Sequence, residues 1–112
     1  MEKTETLKNH IQFKDVYDNG KYYANKYLVM YVKENQMTTN RIGYTVTKKV
    51  GNSVVRHHLK RLMRESYRLN EKMFSSGLDI VIVARVSAAT TNFYEVQSAV
   101  LHLAKLHHIL ND

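Results

Sequence analysis

Apolar residues recur with two different periods along this chain, and the sharpest contrast lies in residues 41–68, RIGYTVTKKVGNSVVRHHLKRLMRESYR. Ile42, Tyr44 and Val46 alternate against Gly43, Thr45 and Thr47, which predicts a strand with one apolar side and one small, polar side. A helix follows. At the helical period Val55, Leu59, Leu62, Met63 and Leu69 gather on one side, while Arg56, Lys60, Arg64 and Arg68 form a stripe on another with Arg61 beside it. Gly51 and Asn52 make the turn between strand and helix, with Asn52 or Ser53 as the N-cap. A helix start of this kind presents free N–H groups that suit a phosphate; the same two residues are equally ordinary turn chemistry.

Around this unit the pattern predicts the remaining elements. Residues 1–8 are polar and expected to be frayed, after which Asn9 caps a short helix whose Phe13, Val16 and Tyr17 share a face and which Gly20 ends. KYYANKYLVMYVKE, rich in tyrosine and β-branched residues, reads as one or two strands with a break at Asn25, and residues 35–40 form a polar loop. Beyond the basic helix, SSG turns the chain into LDIVIVARV. Such an unbroken apolar run belongs to a strand covered on both faces, at or next to the centre of the sheet. A last helix starts near Asn92, with Glu95 three residues on as in a capping box, and is expected to bury Val96, Ala99, Val100, Leu103, His107 and Leu110. The expected fold is α+β: a single-domain α/β sandwich over residues 1–112, in the order α-β-β-β-α-β-α, with the strand–helix–strand unit of residues 41–85 paired in parallel.

Charge adds a direction to this picture. The net charge is +7 over residues 41–68, against +1 before them and −1 after, so the whole excess of +7 resides in one quarter of the chain. Lysine and arginine fixed along a helix, with Lys48 and Lys49 on the turn before it, create the local positive field expected of a nucleic-acid-binding surface. Only Glu65 interrupts it, whereas an ordinary solvated helix face mixes both signs.

Candidate chemistry is sparse. The six histidines include the adjacent pairs His57–His58 and His107–His108, which point to different sides of a helix and lack metal-ligand spacing. The ten acidic residues are scattered, so a two-metal carboxylate site has no evident source, and no nucleophile elbow or GxxxxGK loop is present. There is no cysteine, which removes disulfides and thiolate sites. The N-terminal MEKTETLKNH lacks the apolar stretch of a signal peptide, and no run is long enough to cross a membrane, so a soluble, cytoplasmic protein without a small-molecule substrate is expected.

The segment KKVGNSVVRHHLKRLMRE resembles the signature of the protein subunit of bacterial ribonuclease P, KKxGNAVxRNxxKRxxRE. Lys48, Lys49, Gly51, Asn52, Val54, Arg56, Lys60, Arg61, Arg64 and Glu65 stand at its positions. Ser53 replaces an alanine, and His57 replaces an asparagine, adding a protonatable ring to the basic stripe. LKNHIQFKDVYDNG, ANKYLVMY and LDIVIVAR extend the resemblance over residues 7–110. It implies a fold similar to a ribosomal-protein domain, with a left-handed βαβ crossover against the usual right-handed preference. It also implies the function: assistance to a catalytic RNA that removes the 5′ leader of precursor tRNA. No cofactor belongs to the protein itself, Mg2+ serves the RNA-containing holoenzyme, and the partners are ribonuclease P RNA and precursor tRNA. The residues implied at the RNA subunit are Lys49, Gly51, Asn52, Arg56, His57, Lys60, Arg61, Arg64 and Arg68. Those implied in a cleft for the single-stranded leader are Phe13, Tyr17, Val29, Tyr31, Thr45, Thr47 and Lys48. Periodicity alone makes Phe13 and Tyr17 core residues packed on the sheet, while aromatic rings also offer stacking to unpaired bases. A general RNA-binding module of similar fold explains the charge as well, but not the ordered GN, RHxxKR and RE. A stand-alone nuclease would have to cleave without added RNA.

Overall fold

The computed structural model describes residues 4–111. A two-residue strand β1 (Glu5–Thr6) precedes helix α1 (His10–Asn19); β2 (Lys21–Ala24), β3 (Leu28–Glu34) and β4 (Arg41–Thr45) follow, then helix α2 (Ser53–Asn70), β5 (Leu78–Ala84) and helix α3 (Phe93–Leu106). Single turns of 3-10 helix occupy Glu71–Met73 and Val86–Thr90. The strands form one mixed sheet in the order β1-β4-β5-β3-β2. β1, β4 and β5 are parallel, and β3 is antiparallel to both β5 and β2. As its apolar run predicts, β5 is the middle strand and is buried throughout except at Val83. α2 carries the chain from β4 to its parallel neighbour.

Alternation along the strands sorts the side chains to two faces. Leu28, Met30, Ile42, Ile80 and Ile82 meet Leu59 and Met63 of α2 and Val96, Val100 and Leu103 of α3 in the main core. Each such side chain withdrawn from water contributes about 1.5–3 kcal/mol. The opposite face receives α1 alone, whose Val16 packs on Val81 beside Leu7, with Phe13, Tyr17, Tyr31 and Val83 partly buried around them. Asp79 is buried on that side: it accepts a two-pronged bond from Arg41 (Nε 2.8 Å, Nη2 2.7 Å) and a third from Asn35 at 3.0 Å, so its charge is fully partnered.

Local chemistry fixes the joints. Asn9 caps α1 by accepting from the Gln12 N–H, and Asn25 separates β2 from β3 by accepting from the N–H groups of Tyr27 and Leu28. Gly20 does end α1, although not through a left-handed turn. Its φ is −87°, and a Cβ would lie 2.5 Å from the Val16 carbonyl oxygen and 2.9 Å from that of Val32, so glycine is required by the close approach of helix end and strand. The capping box of α3 is formed, with Asn92 and Glu95 bonding each other's backbone N–H. At its other end His108, at φ 58°, takes the left-handed position of a Schellman turn: its N–H donates to Lys105 O and that of Ile109 to Ala104 O.

Three expectations are corrected. Residues 4–8 are not frayed: the Glu5 and Leu7 N–H groups bond Asn40 O and Ile42 O at 2.8 and 2.9 Å, and Leu7 is buried, while residues 1–3 lie outside the described residues. Hydrogen bonds to a distant strand, invisible in local polarity, hold this segment. On α2 the buried face continues through Ser66 and Tyr67, and Leu69 is exposed. Leu69 lies about 120° around the helix from Met63, whereas the Tyr67 hydroxyl is held at 2.6 Å by Thr4 and at 3.3 Å by Asn40. α3 stops at Leu106, so Leu110 is half-buried beyond it in a β-bridge with Phe74, and His107 is only half-buried as the helix cap.

Two predictions arise here. Gly43 lies under Phe13, and a Cβ there would sit 2.4 Å from Phe13 Cζ. Gly43→Ala is therefore expected to lower the unfolding free energy by about 1–3 kcal/mol in urea titration, and to lower it less when combined with Phe13→Leu; additive losses would separate the two residues. His107 places Nε2 2.8 Å from Met30 O and its ring edge-on to Tyr23, and burial, with help from Lys21 and against the Met30 bond, depresses its pKa. Below about pH 6.5 the unfolded chain then binds more protons than the folded one, so stability is full above that pH and falls as pH drops through it. His107→Gln should flatten that limb of the curve, and parallel curves would exclude the residue.

Candidate nucleic-acid interface

The surface begins where β4 ends. Thr47, Lys48 and Lys49 are exposed, Val50 is buried, and the Val50 N–H closes a turn on Thr47 O at 3.1 Å. A Cβ on Gly51 would lie 2.9 Å from Val55 Cγ1, so the glycine is required for the turn to seat against the first turn of α2. Asn52 is the N-cap: its Oδ1 accepts from the Val55 N–H at 3.0 Å and its carbonyl from the Arg56 N–H at 2.9 Å. The turn thereby holds Lys48 and Lys49 at the positive end of the helix.

Along α2 the basic residues are not equivalent. His57, Arg61, Arg64 and Arg68 are exposed, and Arg56 and Lys60 are half-buried. Arg64 lies over the Tyr44 ring, 5.7 Å from its centroid. Burial pushes the Tyr44 hydroxyl pKa well up, against the opposing pull of Arg64, so this ring is a neutral platform. Arg68 is occupied: it forks onto Glu65 at 2.7 and 2.9 Å and holds that carboxyl below its ordinary pKa. Among the described residues the buried Nε of Arg56 has no hydrogen-bond partner. Among the described residues none of Arg56, Lys60, Arg61 and Arg64 forms an ion pair, so the four make a cationic field, and Arg68 at its end is paired with Glu65.

On the other face of the sheet α1 leaves a cleft. Phe13 covers Gly43, and the Tyr17 hydroxyl meets Thr45 Oγ1 at 2.9 Å. From there the rings continue: Phe13 to Tyr17 at 6.5 Å, Tyr17 edge-on to Tyr31 at 4.9 Å, and Tyr31 to Tyr22 at 5.3 Å. Val29 lies two residues before Tyr31 and pairs with Val83 of β5 on one side and Ala24 of β2 on the other. The arrangement is a row of partly exposed aromatic rings floored by small or branched residues. Its chemistry suits flat, unpaired bases rather than a duplex.

Phe13, Tyr17, Val29, Tyr31 and Thr45 are therefore brought to one face, whereas Thr47 and Lys48 stand beyond the strand end in the turn to α2. Lys49, Gly51, Asn52, Arg56, His57, Lys60, Arg61, Arg64 and Arg68 belong to that turn and to α2. Sequence reasoning omitted Val83 and Tyr22. The first could have been found from alternation with Val81; the second required the register that sets Tyr22 opposite Tyr31. Among the described residues no three histidine, aspartate or glutamate side chains converge to hold a metal ion.

Comparison with known proteins finds relatives over nearly the whole chain. The family model described as Ribonuclease P matches residues 1–107. A ribonuclease P protein component of Lachnoclostridium phytofermentans is 60% identical over 108 residues, covering 96% of this chain and 93% of that protein. One from Alkaliphilus metalliredigens is 48% identical, covering 94% and 95%. The Staphylococcus aureus RNase P protein structure superposes with a TM-score of 0.88 at 29% identity, covering 97% of this chain and 100% of that one. The Thermotoga maritima RNase P protein gives 0.84 at 31% identity, covering 91% and 96%.

The inequality along α2 is testable by titrating binding of a structured RNA at several salt concentrations. Alanine at Arg56, Lys60, Arg61 or Arg64 is expected to reduce the salt slope by about one each, and Arg68→Ala by clearly less, since Glu65 already neutralises it. A full unit lost at Arg68, or none at the other four, would refute the ranking.

Proposed function

Since the chain belongs to the ribonuclease P protein family, we propose that its two surfaces divide the work of a protein subunit in tRNA 5′ maturation: the basic face of α2 grips the RNA subunit, and the aromatic cleft holds the 5′ leader of precursor tRNA. The family match sets aside the alternative of a general RNA-binding module. The observation that carries the division of labour is the one strand shared by both surfaces. Tyr44 of β4 underlies Arg64, and the adjacent Thr45 bonds Tyr17 in the cleft.

The protein contributes positioning. Arg56, Lys60, Arg61 and Arg64, with Lys49 and His57 beside them, contact phosphates of the folded RNA, while Gly51 and Asn52 set the turn that aims them. Arg68, tied to Glu65, lies at the margin. Phe13, Tyr17 and Tyr31 stack on leader bases, and Val29, Thr45, Thr47 and Lys48 line the path back to α2. Magnesium-dependent hydrolysis is assigned to the RNA subunit in this reading. Among the described residues no helix is long and apolar enough to cross a membrane, and the cytoplasm, where precursor tRNA is made, is the proposed place of action.

Holoenzyme reconstituted with ribonuclease P RNA tests the cleft. Tyr17→Ala and Tyr31→Ala should weaken precursor tRNA by about 1–3 kcal/mol for each lost stack while leaving mature tRNA nearly unaffected. Equal losses for both substrates, with the fold intact, would make these rings core residues.

A further inference from the structure

The ring row continues past the residues assigned to the cleft. Tyr22 lies on β2, the edge strand, directly across from Tyr31, and is 61% exposed. The two rings are 5.3 Å apart and inclined by 35°, so they form a nearly continuous tilted surface rather than an edge contact. Its strand neighbours make room beside it. Lys21 and Tyr23 turn to the other face, where Lys21 lies over the Tyr23 ring, and the next residue on Tyr22's own face is Ala24. A large ring so exposed at a sheet edge gains little from folding, whereas an exposed aromatic surface adjoining a partly buried one is the form of a binding site.

Position gives this ring a direction. The sheet order places β2 on the far side of β5 and β3 from β4, and β4 leads into the basic turn of α2. Single-stranded RNA that starts near Thr45 and crosses the cleft must pass Tyr17, then Tyr31, then Tyr22 before it leaves the protein at the free edge of β2. Resting on the cleft reading above, we infer that Tyr22 is a fourth, outermost stacking position, which receives a leader base farther from the cleavage site than those held by Tyr17 and Tyr31. It makes the protein sensitive to leader length.

The experiment uses the full chain reconstituted with ribonuclease P RNA and precursor tRNAs of graded leader length, with 2-aminopurine placed at successive leader positions. Tyr22→Ala should weaken long-leader precursors roughly fivefold or more, with no loss for leaders that end before the edge strand, and should abolish quenching at one outer position. Tyr22→Phe should retain both, and Tyr22→Thr, which keeps a strand-forming residue, should behave as alanine does. Unchanged affinity and quenching at every length in Tyr22→Ala, alongside a loss in Tyr31→Ala, would overturn this inference and leave the cleft intact. No loss in Tyr31→Ala either would overturn both.

Discussion

Two helices side by side, each about 10 Å across, suffice to cover five strands spaced about 4.8 Å apart; one helix does not. The first arrangement holds on the face covered by α2 and α3, whose core is apolar apart from Ser66 and the Tyr67 hydroxyl. The second holds on the face of α1. There the sheet is dry at Asp79, Val81 and Gly43 and becomes half-exposed toward Val83, Val29 and Tyr31. Val83 is accordingly the one residue of β5 that is not buried. Side chains on that uncovered half must pack on one side and meet water on the other, which is the position aromatic rings with hydroxyl groups occupy well.

β4 turns this imbalance into a device with two ends. Its five residues alternate so strictly that consecutive positions serve opposite surfaces: Gly43 seats Phe13, Tyr44 carries Arg64, and Thr45 holds the Tyr17 hydroxyl. The cleft and the basic face are therefore separated by the thickness of one sheet. The Arg41–Asp79 fork pins the start of β4 to β5, and Asn40 anchors the same corner by accepting from the Leu78 N–H at 2.9 Å and donating to Ser75 O at 2.8 Å.

What could be read in the sequence was what local chemistry determines. The caps at Asn9, Asn52 and Asn92, the two-sided burial of β5, the amphipathic α2 and the polar side of β4 all follow from periods and turn residues within a few positions of each other. What escaped depends on partners far along the chain. β1 exists because Asn40 and Ile42 offer carbonyls to a segment whose composition reads as a tail. Tyr67 is buried in place of Leu69 because Thr4 and Asn40 satisfy its hydroxyl. Tyr22 joins the cleft only through its pairing across β2 and β3, a register that side-chain pattern alone does not fix. The signature turn was ambiguous for another reason: a glycine forced by contact with Val55 and a glycine shaped to admit a phosphate have the same sequence.

The central place of β5 also governs how the molecule is made. β2 and β3 can pair as soon as they are synthesised, and β1 can meet β4, yet within the sheet these two halves are joined through β5, whose last residue is Ala84. Until the ribosome releases that strand, α2 has been exposed with neither sheet core nor α3 to cover its apolar side. Assembly is thus a late, largely cooperative event dominated by contacts distant in sequence, which slows folding. During that interval the nascent chain displays its most cationic segment beside ribosomal RNA, a polyanion whose field attracts it.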